Sequence, residues 1–164
     1  MSVADYEQSM AALESHPEVL TYPKQPADDD VIDRAEAMLG LTFPTLYRRF
    51  LTEFGIGGFG SSEVYGIVEN QLNIIAQPDV VWNTLDARET PFFPREYIVI
   101  YGTGNGELMC LDIGKEPDKA SVVALFPGVA PHEQFIETIA SDFGEFVLQL
   151  VKRAIDKAIG RMNV

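Results

Sequence analysis

Four kinds of residue in this sequence could carry a chemical function: a run of glycines, two histidines, one cysteine and clustered aspartates. The run Gly102-Thr103-Gly104-Asn105-Gly106 invites comparison with phosphate-binding loops. Such loops lead from a strand into the N-terminus of a helix, where backbone N–H groups converge on the phosphate. Here apolar stretches flank the glycines on both sides, and this pattern predicts a hairpin turn between two strands.

The candidate nucleophiles and metal ligands are scattered along the chain. His16, His132 and the single cysteine, Cys110, are far apart in sequence, and His132 lacks the second histidine of a zinc-protease helix. We interpret Cys110, which lies within a predicted strand, as a buried thiol. The run Asp28-Asp29-Asp30 lacks the alternating spacing of a calcium loop and suits the N-terminus of a helix. The spacing leaves a Cys–His pair open, since the fold could bring distant residues together, but no sequence feature supports one. We therefore assign no catalytic residue and expect no metal and no cofactor.

A different pattern favours protein binding. In a helix predicted over residues 74–89, Asp79, Asn83 and Asp86 recur at spacings of four and three, so they share one face, which we expect to face solvent. Trp82, the single tryptophan, adjoins this face. It is either an anchor for a partner or a residue at the edge of the core. The opposite line is expected to be buried: Val81, Leu85 and Arg88.

Two further carboxylates extend this hypothesis. Glu63 lies on a strand predicted over residues 62–68, and Glu69 follows it directly. We predict that both belong to the same acidic, partner-binding surface as the helix face.

The charge of the chain is strongly acidic and unevenly distributed. Twelve basic and 25 acidic residues give a net charge of −13. Residues 151–164 carry four basic residues and one acidic residue, so the first 150 residues carry a net −16. Such a surface repels nucleic acid and anionic membranes and attracts basic proteins, although acidity also serves solubility alone.

The elements that position these residues follow from hydrophobic periodicity. Helices are predicted over 1–15, 28–39, 44–54, 74–89 and 142–159, and strands over 62–68, 97–101, 107–113 and 121–126. This order indicates an α+β domain, with a helix and proline-containing strap at 1–27, a main body at 28–150 and a basic continuation of the last helix at 151–164. We expect one core to bury a common set of residues: Phe50, Leu51, Val99, Ile100, Leu111, Phe143 and Val147.

The composition of the chain also predicts the cellular compartment. The 164 residues contain no apolar stretch approaching the roughly 18 residues of a membrane span, and no secretory leader pattern is present at the start. A lone cysteine is typical of a reducing compartment. We expect a cytoplasmic protein.

Several motifs in order resemble the SUKH superfamily. The stretch from Ile32 to Leu51 resembles its opening signature, in which Leu39-Gly40 precedes the apolar-proline step Phe43-Pro44 and then Phe50-Leu51. Other elements match in the same order along residues 30–150: Gly57-Gly58, Thr84 with Arg88, the strand 97–100, Leu111-Asp112, Ser141-Asp142-Phe143 and Phe146-Val147.

This resemblance implies an α+β fold with a curved, mainly antiparallel sheet and helices packed against it. It also implies a non-enzymatic binding protein, since bacterial members look like immunity proteins that neutralise polymorphic toxins and fungal relatives act as regulators of cell-wall synthesis. The expectation is a cytoplasmic immunity protein that binds a basic, nucleic-acid-targeting toxin domain directly. A general protein-interaction scaffold and an uncharacterised hydrolase remain the alternatives.

Overall fold

The described part of the chain contains five α-helices and six strands. The computed structural model describes residues 2–72, 75–114 and 116–162. The helices are α1 (Ser2–Ser15), α2 (Asp29–Leu39), α3 (Thr45–Glu53), α4 (Val80–Arg88) and α5 (Phe143–Met162). The strands are β1 (Gly57–Phe59), β2 (Ser62–Val64), β3 (Tyr97–Gly102), β4 (Leu108–Asp112), β5 (Ser121–Leu125) and β6 (Glu137–Ala140).

The strands form two antiparallel sheets. β1 pairs with β2, and the larger sheet has the order β3-β4-β5-β6. The predicted hairpin is confirmed, since β3 and β4 are joined by a turn in which Gly104 and Gly106 have φ angles of 90° and 96°. Residues with side chains rarely adopt these angles, so the turn itself accounts for the glycines. Together with the helices, the sheets confirm the predicted α+β class.

The core lies between the larger sheet, α3 and α5. All seven residues that the sequence predicts as core are buried in one hydrophobic cluster. Phe143 of α5 packs edge-on against Tyr47 and Phe50 of α3, with ring centroids 5.1 and 5.3 Å apart. The N-terminal helix α1 packs along α5, and α5 continues to Met162 without a break. Burial of aromatic rings is the main apolar contribution to such a core.

The strap at residues 16–27 is held against the small sheet and α3. Leu20 bridges to Phe59, and the N–H of Thr21 donates to the carbonyl of Gly58 at 2.9 Å. Gly58 is required at this crossing, because a Cβ there would lie 2.4 Å from the ring of Tyr22. Further along, the N–H of Gln25 donates to the carbonyl of Phe54 at 2.8 Å. The strap therefore extends the small sheet and then crosses the end of α3.

Several predicted boundaries differ from the structure. The helix predicted over 74–89 is α4, which begins at Val80; residue 74 lies outside the described part of the chain. The strand predicted over 62–68 ends at Val64, and β1 and β6 were not predicted. Glycines in β1 and exposed polar residues in β6 explain why neither has a recognisable strand pattern. No described helix is long and apolar enough to cross a bilayer.

Candidate functional site

Helix α4 is positioned by its N-terminal cap and by two backbone bonds to Gly66. The N–H of Val80 donates to the carbonyl of Gly66, and the N–H of Gly66 donates to the carbonyl of Pro78, both at 2.8 Å. Asp79 is the cap, since its Oδ1 accepts from the N–H of Trp82 at 2.7 Å. A carboxylate at this position satisfies a free N–H and suits the helix dipole.

The expectation that Asp79 faces solvent is wrong. Its exposed fraction is 1%, and its Oδ2 has no hydrogen-bond partner among the described residues. Burial raises the pKa of this carboxyl, and the N–H groups of Trp82 and Val81 offset part of that rise. The Asp79 side chain turns back onto the first turn of α4 to accept from the N–H of Trp82, and its carboxylate is covered in that position.

Asn83 also serves local structure. Its Nδ2 donates to the carbonyls of Gln77 and Asp79, the latter at 2.7 Å. The Gln77 side chain in turn donates to the hydroxyl of Tyr65 at 3.3 Å. Asn83 is half-buried and ties the approach segment to the first turn of α4. It therefore helps to position Trp82, and its amide N–H groups are used in doing so, which leaves the amide oxygen as its polar group for a partner.

The outward side of α4 carries an apolar pair beside carboxylates. Trp82 and Leu85 are each 37% exposed, and Asp86 and Glu89 are exposed. Spacings of three, four and seven from Trp82 place these residues on one face. The inward side is buried: Val80, Val81, Thr84 and Ala87. We call Trp82, Leu85, Asp86 and Glu89 the α4 face.

Leu85 and Glu89 were missed by sequence reasoning. Leu85 was expected to be buried in line with Val81, and that expectation is wrong. The inward direction of α4 is set instead by Thr84, whose Oγ1 accepts from the N–H of Val99 in β3 at 3.0 Å. The Pro78-Asp79 step marks the start of the helix and could have predicted this orientation from the sequence.

Glu63 and Glu69 lie along the strap. The Glu63 carboxylate accepts a hydrogen bond from the hydroxyl of Tyr22, and this bond raises the pKa of that hydroxyl. Glu69 is exposed, with φ of 52°, and its N–H donates to Oε1 of Gln25 at 2.7 Å. Within the described residues, neither side chain hydrogen-bonds to α4. Four of the six candidate residues thus lie on α4 or at its cap, and the other two are bonded to residues of the strap.

The remaining candidate reactive groups are one cysteine and two histidines. Cys110 is fully buried, and burial raises the pKa of its thiol well above the ordinary value, which disfavours the nucleophilic thiolate. His16 pairs with the adjacent Glu18, and His132 lies beside Glu133 on an exposed loop. Within residues 2–72, 75–114 and 116–162, no three His, Cys, Asp or Glu side chains cluster so as to hold a metal ion.

Comparison with known proteins assigns the family. The family described as SMI1-KNR4 cell-wall, a SUKH family, matches residues 6–152. The chain belongs to this family and thus to the SUKH superfamily, as the motifs indicated. A crystal structure of a protein from Pseudomonas syringae pv. tomato is 20% identical and superposes with a TM-score of 0.55, covering 77% of this chain and 89% of that one. This likeness extends to the fold. A comparison with curated proteins found no match.

Proposed function

We propose that the protein is a non-enzymatic, cytoplasmic immunity protein that neutralises a toxin domain by direct binding. Membership of the SUKH superfamily supports a protein-interaction role. The net −16 of the first 150 residues supports a basic partner, because opposite charge accelerates encounter. Toxins that act on nucleic acids need basic surfaces to hold phosphates, so they are the class of toxin that this charge fits best.

The α4 face is the observation that carries the proposal. Trp82 and Leu85 are half-exposed although the opposite side of the same helix is fully used by the core. An aromatic anchor surrounded by charged residues is the usual composition of an interface centre and its rim. Asp86 and Glu89 supply carboxylates that basic side chains of the partner can reach.

The contact residues of the proposed interface differ from the sequence-based set. Trp82 and Asp86 remain, Leu85 and Glu89 are added, and Asp79 is omitted because it is buried. Asn83 supports the interface by holding the first turn of α4. Glu63 and Glu69 stay in the proposal as an acidic extension of the interface along the strap. Both carry a carboxylate, and Glu69 is exposed.

Protection of cells from a toxin tests this function. Candidate basic toxin domains are expressed with and without the protein, and survival and binding to the purified domains are measured. Trp82→Ala with Leu85→Ala should abolish protection and binding. Phe135→Ala with Ile136→Ala is the matched control, since these apolar residues are exposed in the segment before β6 and their replacement should leave both unchanged.

The outcomes separate the alternatives. Protection without binding would contradict sequestration and favour an enzyme. Equal loss in both double variants, with the fold intact, would move the interface away from α4. Absence of protection, combined with tight binding of a housekeeping protein through α4, would favour the interaction scaffold.

A further inference from the structure

The last turns of α5 carry a positive charge that the proposed interface does not use. Lys152, Arg153, Lys157 and Arg161 are all exposed. Within the described residues, none of these four forms an ion pair. Four other basic side chains lie within 4.0 Å of carboxylates: Arg34, Arg48, Arg49 and Lys119. Among the described residues, Lys24, Arg88 and Arg95 also lack a carboxylate partner, but Lys24 lies over the Phe54 ring and Arg88 donates to backbone carbonyls. Four of the seven described cations without a carboxylate partner therefore lie on α5.

Two of these cations line a groove. Lys157 and Arg161, one helical turn apart, border a concavity of about 320 Å³ between α5 and the turn that joins β1 to β2. The opposite wall includes Thr21 and Ser61, both exposed. Ammonium, guanidinium and hydroxyl groups are all hydrogen-bond donors, so residues with donor groups line both walls.

Small residues keep the groove open. Ala154 and Ala158 form the α5 side of its floor, and Gly60 forms part of the turn opposite. Gly60 has a φ of 61°, and a Cβ there would lie 3.1 Å from the methyl group of Ala154. The turn therefore packs directly on α5 beside Ala154, and no larger side chain fills the space between Lys157 and Thr21.

We propose that this groove binds a small molecule carrying a phosphate group. Lysine and arginine with hydroxyl donors match the charge and the acceptor oxygens of a phosphate, and arginine can bind two of these oxygens at once. The volume holds a phosphate with a small substituent. Glu18 is the carboxylate at the rim; its Oε1 lies 3.2 Å from Nδ1 of His16, and it opposes an anion in the groove.

Calorimetric titration with inorganic phosphate and glycerol phosphate, at ionic strength held constant with sodium chloride, tests this site. We expect saturable binding that Lys157→Ala with Arg161→Ala weakens about tenfold or more, because charge-assisted hydrogen bonds are lost. Lys152→Ala with Arg153→Ala is the matched control, since it removes the same charge from the same helix but not from this groove. That variant should bind within about twofold of the unmodified protein.

A second test is the Glu18→Gln variant, whose affinity for phosphate should increase. Removal of the opposing carboxylate should tighten phosphate binding several-fold, and amide NMR shifts should move at Thr21, Gly60 and Ser61. Equal weakening by the two double variants would overturn the proposal, because it would reveal non-specific attraction to α5. Absence of saturable binding, or binding to phosphatidylglycerol vesicles in place of free phosphates, would also overturn it. None of these outcomes bears on toxin binding through the α4 face.

Discussion

Helices α4 and α5 pack on the same fold by different means. The twenty residues of α5 are held by buried rings and aliphatic side chains, such as Phe143 against Tyr47 and Phe50. The nine residues of α4 are placed by the bonds of Val80 to Gly66 and of Thr84 to β3, together with the buried side chains of Val80, Val81 and Ala87. Exposed residues in the last turns of α5 are mostly charged, whereas α4 exposes a tryptophan and a leucine. Two apolar side chains of α4, Trp82 and Leu85, are therefore left accessible to a partner, whereas those of α5 mostly serve the core.

The largest effect should come from the apolar anchor of α5. Phe143→Ala removes a ring that is 2% exposed, and we expect it to lower the free energy of unfolding by about 3–5 kcal/mol. Urea denaturation measures this loss. Phe135→Ala, which alters a ring that is 79% exposed, should change stability by less than about 0.5 kcal/mol. Similar losses in the two variants would contradict the placement of the core.

At Trp82 we expect a large effect on partner binding and a small effect on stability. Trp82→Ala should weaken partner binding by about 2 kcal/mol or more and should destabilise the fold less than Phe143→Ala does. Binding is measured by calorimetry and stability by denaturation of the same variant. A large drop in stability with unchanged affinity would show that Trp82 belongs to the core and not to an interface.

The polar attachment of α4 can be removed with little change of shape. Thr84→Val deletes the acceptor for the buried N–H of Val99, and we expect a loss of about 1–3 kcal/mol in unfolding free energy. Thr52→Val is the control, because the Thr52 hydroxyl bonds to the carbonyl of Arg48 on an exposed stretch of α3. If both variants lose the same stability, α4 is not held by this bond.

Rim charges of the α4 face should act on the rate of association. Asp86→Lys with Glu89→Lys should slow association with a basic partner and flatten its salt dependence, while dissociation changes little. Stopped-flow or surface-based kinetics at several salt concentrations provide the measurement. Glu133→Lys with Glu137→Lys changes net charge equally on exposed residues elsewhere and should have the smaller effect.

The smallest effect concerns the pH dependence of the α4 cap. Burial raises the pKa of Asp79 above its value in the unfolded chain. Its contribution to stability is therefore complete below the unfolded pKa of ~4 and is lost as the pH rises through the folded value. Asp79→Asn stays neutral, so its stability relative to the unmodified protein should improve from acid to neutral pH. Denaturation of both proteins across this range checks the trend, and a constant difference would contradict it.

The sequence predicted α5 and the central hairpin well and α4 poorly, for a physical reason. Long apolar lines such as Phe143, Phe146, Val147 and Leu150 leave one way to bury a helix. A helix of nine residues has little periodicity, and the inward direction of α4 depends on a hydrogen bond to Val99 from another element. That is why Leu85 was expected in the core and Asp79 at the surface.

By itself, the sequence determined the α+β class, the core, the charge asymmetry and the superfamily, because periodicity, composition and motif order are properties of the chain. Only the tertiary structure decided which residues α4 exposes, that Glu63 and Glu69 lie along the strap, and that Lys157 faces Thr21 and Ser61 across a groove. Each of these depends on contacts between segments distant in sequence, whose register is set by packing and by buried hydrogen bonds.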